Sequence, residues 1–274
     1  MRVLAINDIS CVGKCSLSVT LPILSACGVT CDILPTALLS THTGGFEGYT
    51  FRDLTEDIDG ILAHWKSLGI QFDIVYSGYL GNIKQIDTVE RIKKDFLAKD
   101  GLFIVDPVMG DSGSLYAGFD DNFVAKMRAL CSIADYILPN LTEACLLSGK
   151  PYDNYNIDEI FFTLQKLSAR PIITGVVENN TNSVFYGENG ACKRYDTDNV
   201  EGFFCGAGDV FASAFVGCLA RGVDEENAII LATDFTSHAI RRSAVEVPDK
   251  RYGLNFEKEI FSFVQKLNNF ISNT

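Results

Sequence analysis

Short apolar runs of four or five residues recur along the chain, and most are followed by a longer stretch in which apolar positions return every third or fourth residue. The first pattern is that of a buried strand and the second that of a helix with one apolar face. Their alternation is the signature of a parallel sheet with crossover helices. The expected strands are VLAIN (3–7), CDILP (31–35), DIVYS (73–77), LFIVD (102–106), YILP (136–139) and PIITG (171–175). Helices are expected at about 15–27, 53–68, 85–99, 120–132, 141–148 and 157–168. A hairpin at 183–195, turning at GENG, comes next, followed by helices near 209–221, 225–242 and 256–271. Ligands of such sheets sit beyond the carboxyl ends of the strands, so that is where chemistry is sought.

No Pro- or Ser-rich linker, charge block or repeat marks a seam, and the best candidate break, DNYNID at 153–158, is short. A single domain over 1–274 is therefore expected, and 47% apolar residues suffice for a large core. The formal charge of −12 argues against a nucleic acid or an anionic membrane as partner. A phosphate-bearing small molecule would have to be met by backbone amides, a divalent metal and a few local cations. The opening MRVLAIND is too short and too soon polar for a signal peptide, and no later run reaches spanning length, so a cytoplasmic protein is expected. Nine scattered cysteines, with no CxxC pair near a histidine, suggest neither a disulfide framework nor a zinc site.

Five stretches carry candidate chemistry. ISCVGKCS (9–16) resembles a phosphate-binding Walker loop, but Asp8 stands where that loop needs glycine and Cys15 where it needs Ser or Thr; it reads as a turn into a helix. SGYLGN (77–82) offers the ring of Tyr79 for stacking on a flat substrate, or simply a packed tyrosine in a turn. DPVMGDSG (106–113) puts Asp106 at a strand's carboxyl end, where it can hold a hydrated divalent cation or cap the following turn. PNLTEA (139–144) sets Asn140 and Glu143 three apart on a first helical turn, facing one way; the same pair also makes a capping box.

FFCGAGDVFASAF (203–215) joins these pieces. Gly206 and Gly208 permit a turn that aims consecutive amides at one point, and the helix after them adds the positive end of its dipole. Such an anion hole suits a transferring phosphoryl group, and Asp209 at its mouth can take the proton of an attacking hydroxyl. The alternative is a capping aspartate. The helix is small and apolar throughout, hence buried, which favours the catalytic role.

With AIND…VG after the first strand, STHTG (40–44), SGYLGN, DPVMG, PNLTE and GAGD in order over nearly the whole chain, the sequence resembles the pyridoxal kinase branch of the ribokinase-like superfamily. GAGD indicates the superfamily; SGYLG with DPVMG points to the vitamin B6 kinases. The resemblance implies a doubly wound α/β/α fold with a mainly parallel sheet and no separate lid domain, commonly a homodimer. It implies ATP-dependent phosphorylation of the 5′-hydroxymethyl group of pyridoxal, pyridoxine or pyridoxamine, with Mg²⁺ and often a stimulating K⁺.

By the same resemblance, Asp209 is the general base, Gly206, Ala207 and Gly208 form the anion hole, and Asp106 and Glu143 surround metal and phosphates. Asp8, Ser10, Thr43, Gly44 and Tyr79 lie along the vitamer; Asn140, Thr174, Arg194 and Thr197 join Asp106 and Glu143 around ATP. The segment 111–121 is implied to be a flap over the nucleotide. Two departures stand out. Asp8 replaces the serine that commonly touches the ring nitrogen, and is expected to pair with a protonated pyridine instead. Gly175 stands where many relatives carry a lysine, which puts that nucleotide contact in question. Cys205 reads as an ordinary buried thiol, with a hemithioacetal to pyridoxal's aldehyde as the other reading. Hydroxymethylpyrimidine kinase is the nearest alternative function, and a non-catalytic nucleotide or B6 binder a more distant one.

Overall fold

A computed structural model describes residues 1–168 and 170–272. The chain opens with β1 (Arg2–Ser10), α1 (Leu17–Ala26), β2 (Thr30–Leu39), β3 (Phe51–Asp53) and α2 (Thr55–Ser67). It continues through β4 (Phe72–Ser77), α3 (Ile83–Phe96), β5 (Leu97–Val105), β6 (Gly110–Asp111), β7 (Ser114–Leu115), α4 (Asp121–Ser132), β8 (Tyr136–Ile137) and α5 (Leu141–Ser148). There follow α6 (Ile157–Leu167), β9 (Arg170–Pro171), β10 (Ile173–Glu178), β11 (Thr181–Tyr186) and β12 (Lys193–Asp198). The chain ends with α7 (Ala207–Ala220), α8 (Glu225–Glu246) and α9 (Glu257–Ser272). These elements form two compact units, 1–58 with 197–274, and 59–196. The DNYNID stretch lies inside the second unit. Among the described residues no helix is long and apolar enough to cross a membrane.

In the first unit β1 pairs parallel with β2, and β2 antiparallel with β3. Val3 to Ile6 are buried without alternation, as in a strand covered on both faces. The strand runs past the expected Asn7 to Ser10, and its register against β2 shifts between Asn7 and Ile9. That irregularity falls at Asp8, the kind of local disruption that re-aims a side chain near a site. Helix α7 is buried from Val210 to Ala220. Its small residues admit α1: a methyl on Gly217 would meet Cys27 Sγ at 2.6 Å, and Ser213 Oγ donates to Thr20 Oγ1 at 3.1 Å. On the other flank Phe235 of α8 stacks on Phe263 of α9 at 4.5 Å. Strand β3 was not expected, because its three residues Phe51–Asp53 are all exposed and show no apolar period.

In the second unit β4, β5, β8 and β9 pair in parallel. Helix α3 stops at Phe96 rather than 99, because Leu97 already pairs with Phe72. The single strand expected at 171–175 is two, β9 and β10, and β10 turns back into β11 through Asn179 and Asn180. Both asparagines have positive φ, 48° and 63°, the conformation a two-residue hairpin turn demands. The hairpin expected at 183–195 is the next turn of the same sheet, ordered β10-β11-β12.

Candidate active site

In the first unit, α7 begins at Gly206 with φ 80° and no side-chain cap. A methyl group there would lie 2.0 Å from the carbonyl oxygen of Lys14, so only glycine permits this approach. The amides of the first helical turn, Ala207 to Asp209, precede any carbonyl four residues back within the helix. Gly208 has open space where a side chain would be. The carboxyl of Asp209 stands at this mouth, partly buried. It accepts hydrogen bonds from the Asn7 side chain (Nδ2 to Oδ1, 3.3 Å) and from the backbone N–H of Ser16. Burial pushes its pKa up to about 7, with the negative charge of Asp8 adding to the rise and the two donors opposing it. A carboxylate near neutrality is what a general base at physiological pH requires.

Asp8 is buried and accepts from Ser10 Oγ at 3.1 Å; its own N–H donates to Asn7 Oδ1 at 3.0 Å. Burial raises its pKa, against the hydroxyls of Ser16 and Ser10. His42, also buried, faces the Arg251 carbonyl through Nε2 at 2.6 Å and accepts the Gly44 N–H at Nδ1, 3.0 Å. With its proton on Nε2 the ring donates to the Arg251 carbonyl and accepts at Nδ1. Cys205 Sγ lies 3.5 Å from the same Nδ1. A hydrogen bond from the Cys15 thiol is the largest influence lowering the pKa of Cys205, while Cys15's own pKa is raised.

In the second unit, Asn140 caps α5 and Glu143 closes the capping box. Glu143 is buried; Oε2 accepts the Asn140 N–H at 2.9 Å, Oε1 the Met109 N–H at 3.1 Å, and the Gly110 N–H adds a third bond. Burial pushes its pKa up to about 8 against those donors. Asn140 Nδ2 donates to the Gly110 carbonyl, and Thr142 Oγ1 takes the Gly113 N–H, each at 2.9 Å. The first turn of α5 thus holds the β6–β7 hairpin, whose tip residues Ser112 and Gly113 have φ 51° and 80°. Asp106 is buried at the end of β5. Thr174 bridges to Asn140 and donates its N–H to Pro139 O at 2.9 Å.

The structure thus gathers Asp8, Ser10, Gly44 and Gly206 to Asp209 in one unit, and Asn140, Glu143 and Thr174 in the other. Thr43 is exposed beside Gly44. Tyr79 packs against Phe119 of the 111–121 segment at 6.0 Å, and Phe119 stacks on Phe123 at 3.8 Å. Arg194 is exposed; its Nε donates to Asp196 at 2.5 Å, and its guanidinium lies 5.7 Å from the Phe185 ring centroid. Thr197 is half-buried on the same strand. Gly175 has φ 69°, a conformation that a lysine there would strain to adopt. Asn7, His42 and the Ser16 amide were not singled out from sequence. Asn7 is a polar residue inside an apolar strand, and His42 sits within the STHTG stretch, so both left a trace.

A helix opened by glycine, with a carboxylate raised to neutrality beside the amides of its first turn, is the equipment of a small-molecule kinase. The model of the phosphomethylpyrimidine kinase family matches residues 23–254. Pyridoxal kinase from Lactobacillus plantarum superposes with a TM-score of 0.90 at 32% identity, over 98% of this chain and 98% of that one. A Bacteroides thetaiotaomicron protein, provisionally assigned as a phosphomethylpyrimidine kinase and solved with pyridoxal, is 37% identical, with a TM-score of 0.90 over 96% of this chain and 95% of that one. Pyridoxine kinase of Bacillus subtilis is 27% identical over 68% of this chain and 71% of its own length. The fold is therefore the ribokinase-like α/β fold expected from the sequence, and the protein is a kinase. It belongs to the phosphomethylpyrimidine kinase family.

Proposed function

We propose that this kinase transfers the γ-phosphoryl group of ATP to the 5′-hydroxymethyl group of a B6 vitamer. The observation that carries the reading is the position of Asp209: a carboxyl with its pKa near 7, held by Asn7 and the Ser16 amide, at the open first turn of α7. As the vitamer's hydroxyl oxygen bonds to phosphorus, Asp209 takes its proton and ADP leaves with the bond's electron pair. The amides from Gly206 to Asp209 stabilise negative charge on the phosphoryl oxygens as they do so, which is the larger part of catalysis in phosphoryl transfer. Asp8 meets the pyridine nitrogen, its buried carboxyl well suited to a protonated ring. The similarity to B6 kinases and the presence of pyridoxal in the B. thetaiotaomicron relative support the vitamer.

Magnesium bound with the nucleotide would supply positive charge that neutralises the phosphates. Among the described residues no group of three or more His, Cys, Asp or Glu forms a metal cage. Asp106, buried at the end of β5, is the carboxylate that would hold such an ion, which keeps several waters and takes one or two protein oxygens. Glu143, with both oxygens accepting backbone N–H groups, serves instead to hold the loop that follows Asp106.

Hydroxymethylpyrimidine is the second reading, favoured by the family model. ATP consumption measured against the three B6 vitamers and hydroxymethylpyrimidine separates the two; preference for the pyrimidine overturns the B6 assignment. Asp209→Ala should fold and bind ATP yet lose about 10²-fold or more in turnover. Turnover near that of the parent protein would make Asp209 a capping residue only.

A further inference from the structure

Three backbone carbonyls at the carboxyl end of α8 converge on one side-chain atom. Lys250 Nζ lies 2.6 Å from the oxygen of Ser243, 2.8 Å from that of Ala244 and 2.7 Å from that of Val247. An ammonium has three N–H donors, and here all three are used. These carbonyls carry the negative end of the helix dipole, so a cation among them is favourable and a neutral group would leave them facing one another. The same ammonium lies 5.8 Å from the centroid of the Phe204 ring, two residues before Gly206.

The residues next to Lys250 hold the surroundings of the anion hole one after another. Arg251 O receives the His42 Nε2–H, and His42 in turn abuts Cys205. Tyr252 O accepts the Lys14 N–H at 3.3 Å. Gly253 packs so closely on Lys14 that a methyl would come within 2.8 Å of its carbonyl oxygen, the same oxygen against which Gly206 is pressed. The loop is secured at its far end by the Asn255 N–H on Ser243 Oγ, 2.7 Å. At its near end the anchor is a charge.

We propose that the Lys250 ammonium is an internal cation that fixes this loop and thereby the Gly206–Asp209 turn, making Lys250 a positioning residue for phosphoryl transfer. Its three-carbonyl cage is a site that a free ammonium or potassium ion can fill once the side chain is removed, since carbonyl oxygens replace the hydration shell of either ion. The effect on turnover rests on the kinase reading above; the cage itself does not.

The test is Lys250→Met, assayed for ATP consumption with pyridoxal and for thermal unfolding, in tetramethylammonium, sodium, potassium and ammonium chlorides at equal ionic strength. Expected is a kcat lowered about tenfold or more with KM for ATP and vitamer within about twofold, since a displaced catalytic turn costs rate rather than binding. Ammonium or potassium should restore part of that kcat and raise the Tm of the variant, but not the Tm of the parent protein. A variant with kcat within twofold of the parent overturns the positioning role. A variant whose Tm and kcat are indifferent to the cation overturns the cage. If Lys250→Met does not fold, Lys250→Gln, which keeps two donors but no charge, carries the same measurements. Should the parent protein phosphorylate no B6 vitamer, the functional reading fails while the unfolding comparison still decides the cage.

Discussion

Asn7 and Asp209, 202 residues apart in sequence, share a hydrogen bond in which Asn7 Nδ2 donates to Asp209 Oδ1 at 3.3 Å. A donor to a carboxylate stabilises the charged form, so this bond holds Asp209 below the pKa that burial alone would give it. Asn7→Ala removes the donor. The acid limb of kcat/KM, expected near pH 7 from Asp209, should move upward by about half a unit to one unit. Turnover at pH 7 falls accordingly while the plateau at high pH changes less. An unmoved acid limb would mean that another group controls it.

The same elevated pKa makes Asp209 a liability for stability. Its folded pKa of about 7 exceeds the ordinary 3.8, so the native chain holds this proton more tightly than the unfolded chain does. The contribution to stability is fully present below pH 3.8 and is lost as pH rises through 7. Asp209→Asn imitates the protonated form at every pH. At pH 8 its Tm should exceed that of the parent by about 2 °C or more, and the gap should close as pH is lowered toward 4. A variant less stable than the parent at pH 8 would show that the carboxylate is needed to cap α7.

What the sequence made legible, and what it did not, follows from how far each relationship reaches along the chain. Gly206, Gly208 and Asp209 stand within four residues of one another, so their geometry could be argued from local rules. The strand ends at Asp106 and Asn140 were legible for the same reason: each motif directly follows an apolar run. Asn7 and His42 were overlooked because their significance lies in partners, Asp209 and Arg251, more than 200 residues away. Periodicity carries no information about such pairs. The hairpin at Asn179–Asn180 was missed because two asparagines in a polar stretch look like loop until the paired strands on either side are seen.

Gly206 and Gly208 should separate under the same mutation. Gly206→Ala sets a methyl 2.0 Å from Lys14 O at φ 80°, so the turn must give way, costing roughly 1–3 kcal/mol in stability and most of the turnover. Gly208→Ala meets nothing within 4 Å and lies in helical backbone, where alanine is favoured by up to about 1 kcal/mol. Its Tm should hold or rise. Its kcat/KM for ATP should nevertheless fall, because the open space beside that amide is where the phosphoryl group is proposed to sit. Parent-like kinetics in Gly208→Ala would move the phosphate elsewhere.

Asp8→Asn keeps the size of the side chain and an acceptor for Ser10 while removing the charge that would face a protonated ring. KM for the vitamer should rise about tenfold or more, and KM for ATP should stay within about twofold, as for the loss of a charge-assisted hydrogen bond to one substrate. Steady-state kinetics with each substrate varied in turn decide it. Equal effects on both would assign Asp8 to the folding of the β1 end, where its register irregularity lies.

Glu143 and Asp106 were expected to act together on the metal, whereas the backbone bonds of Glu143 favour a structural role for it. Glu143 accepts N–H groups from Asn140, Met109 and Gly110, so Glu143→Gln turns an acceptor into an NH₂ that must face one of those donors. A buried amide left in that conflict costs about 1–3 kcal/mol. The variant should therefore unfold at a lower temperature, loosen the β6–β7 hairpin to proteolysis and hydrogen exchange, and leave the magnesium concentration for half-maximal activity unchanged. Asp106→Asn should do the reverse, raising the magnesium requirement about tenfold or more with little change in Tm. If Glu143→Gln instead shifts the magnesium requirement as far as Asp106→Asn does, then Glu143 is a ligand despite its three backbone bonds, and the hairpin must open for the metal to reach it.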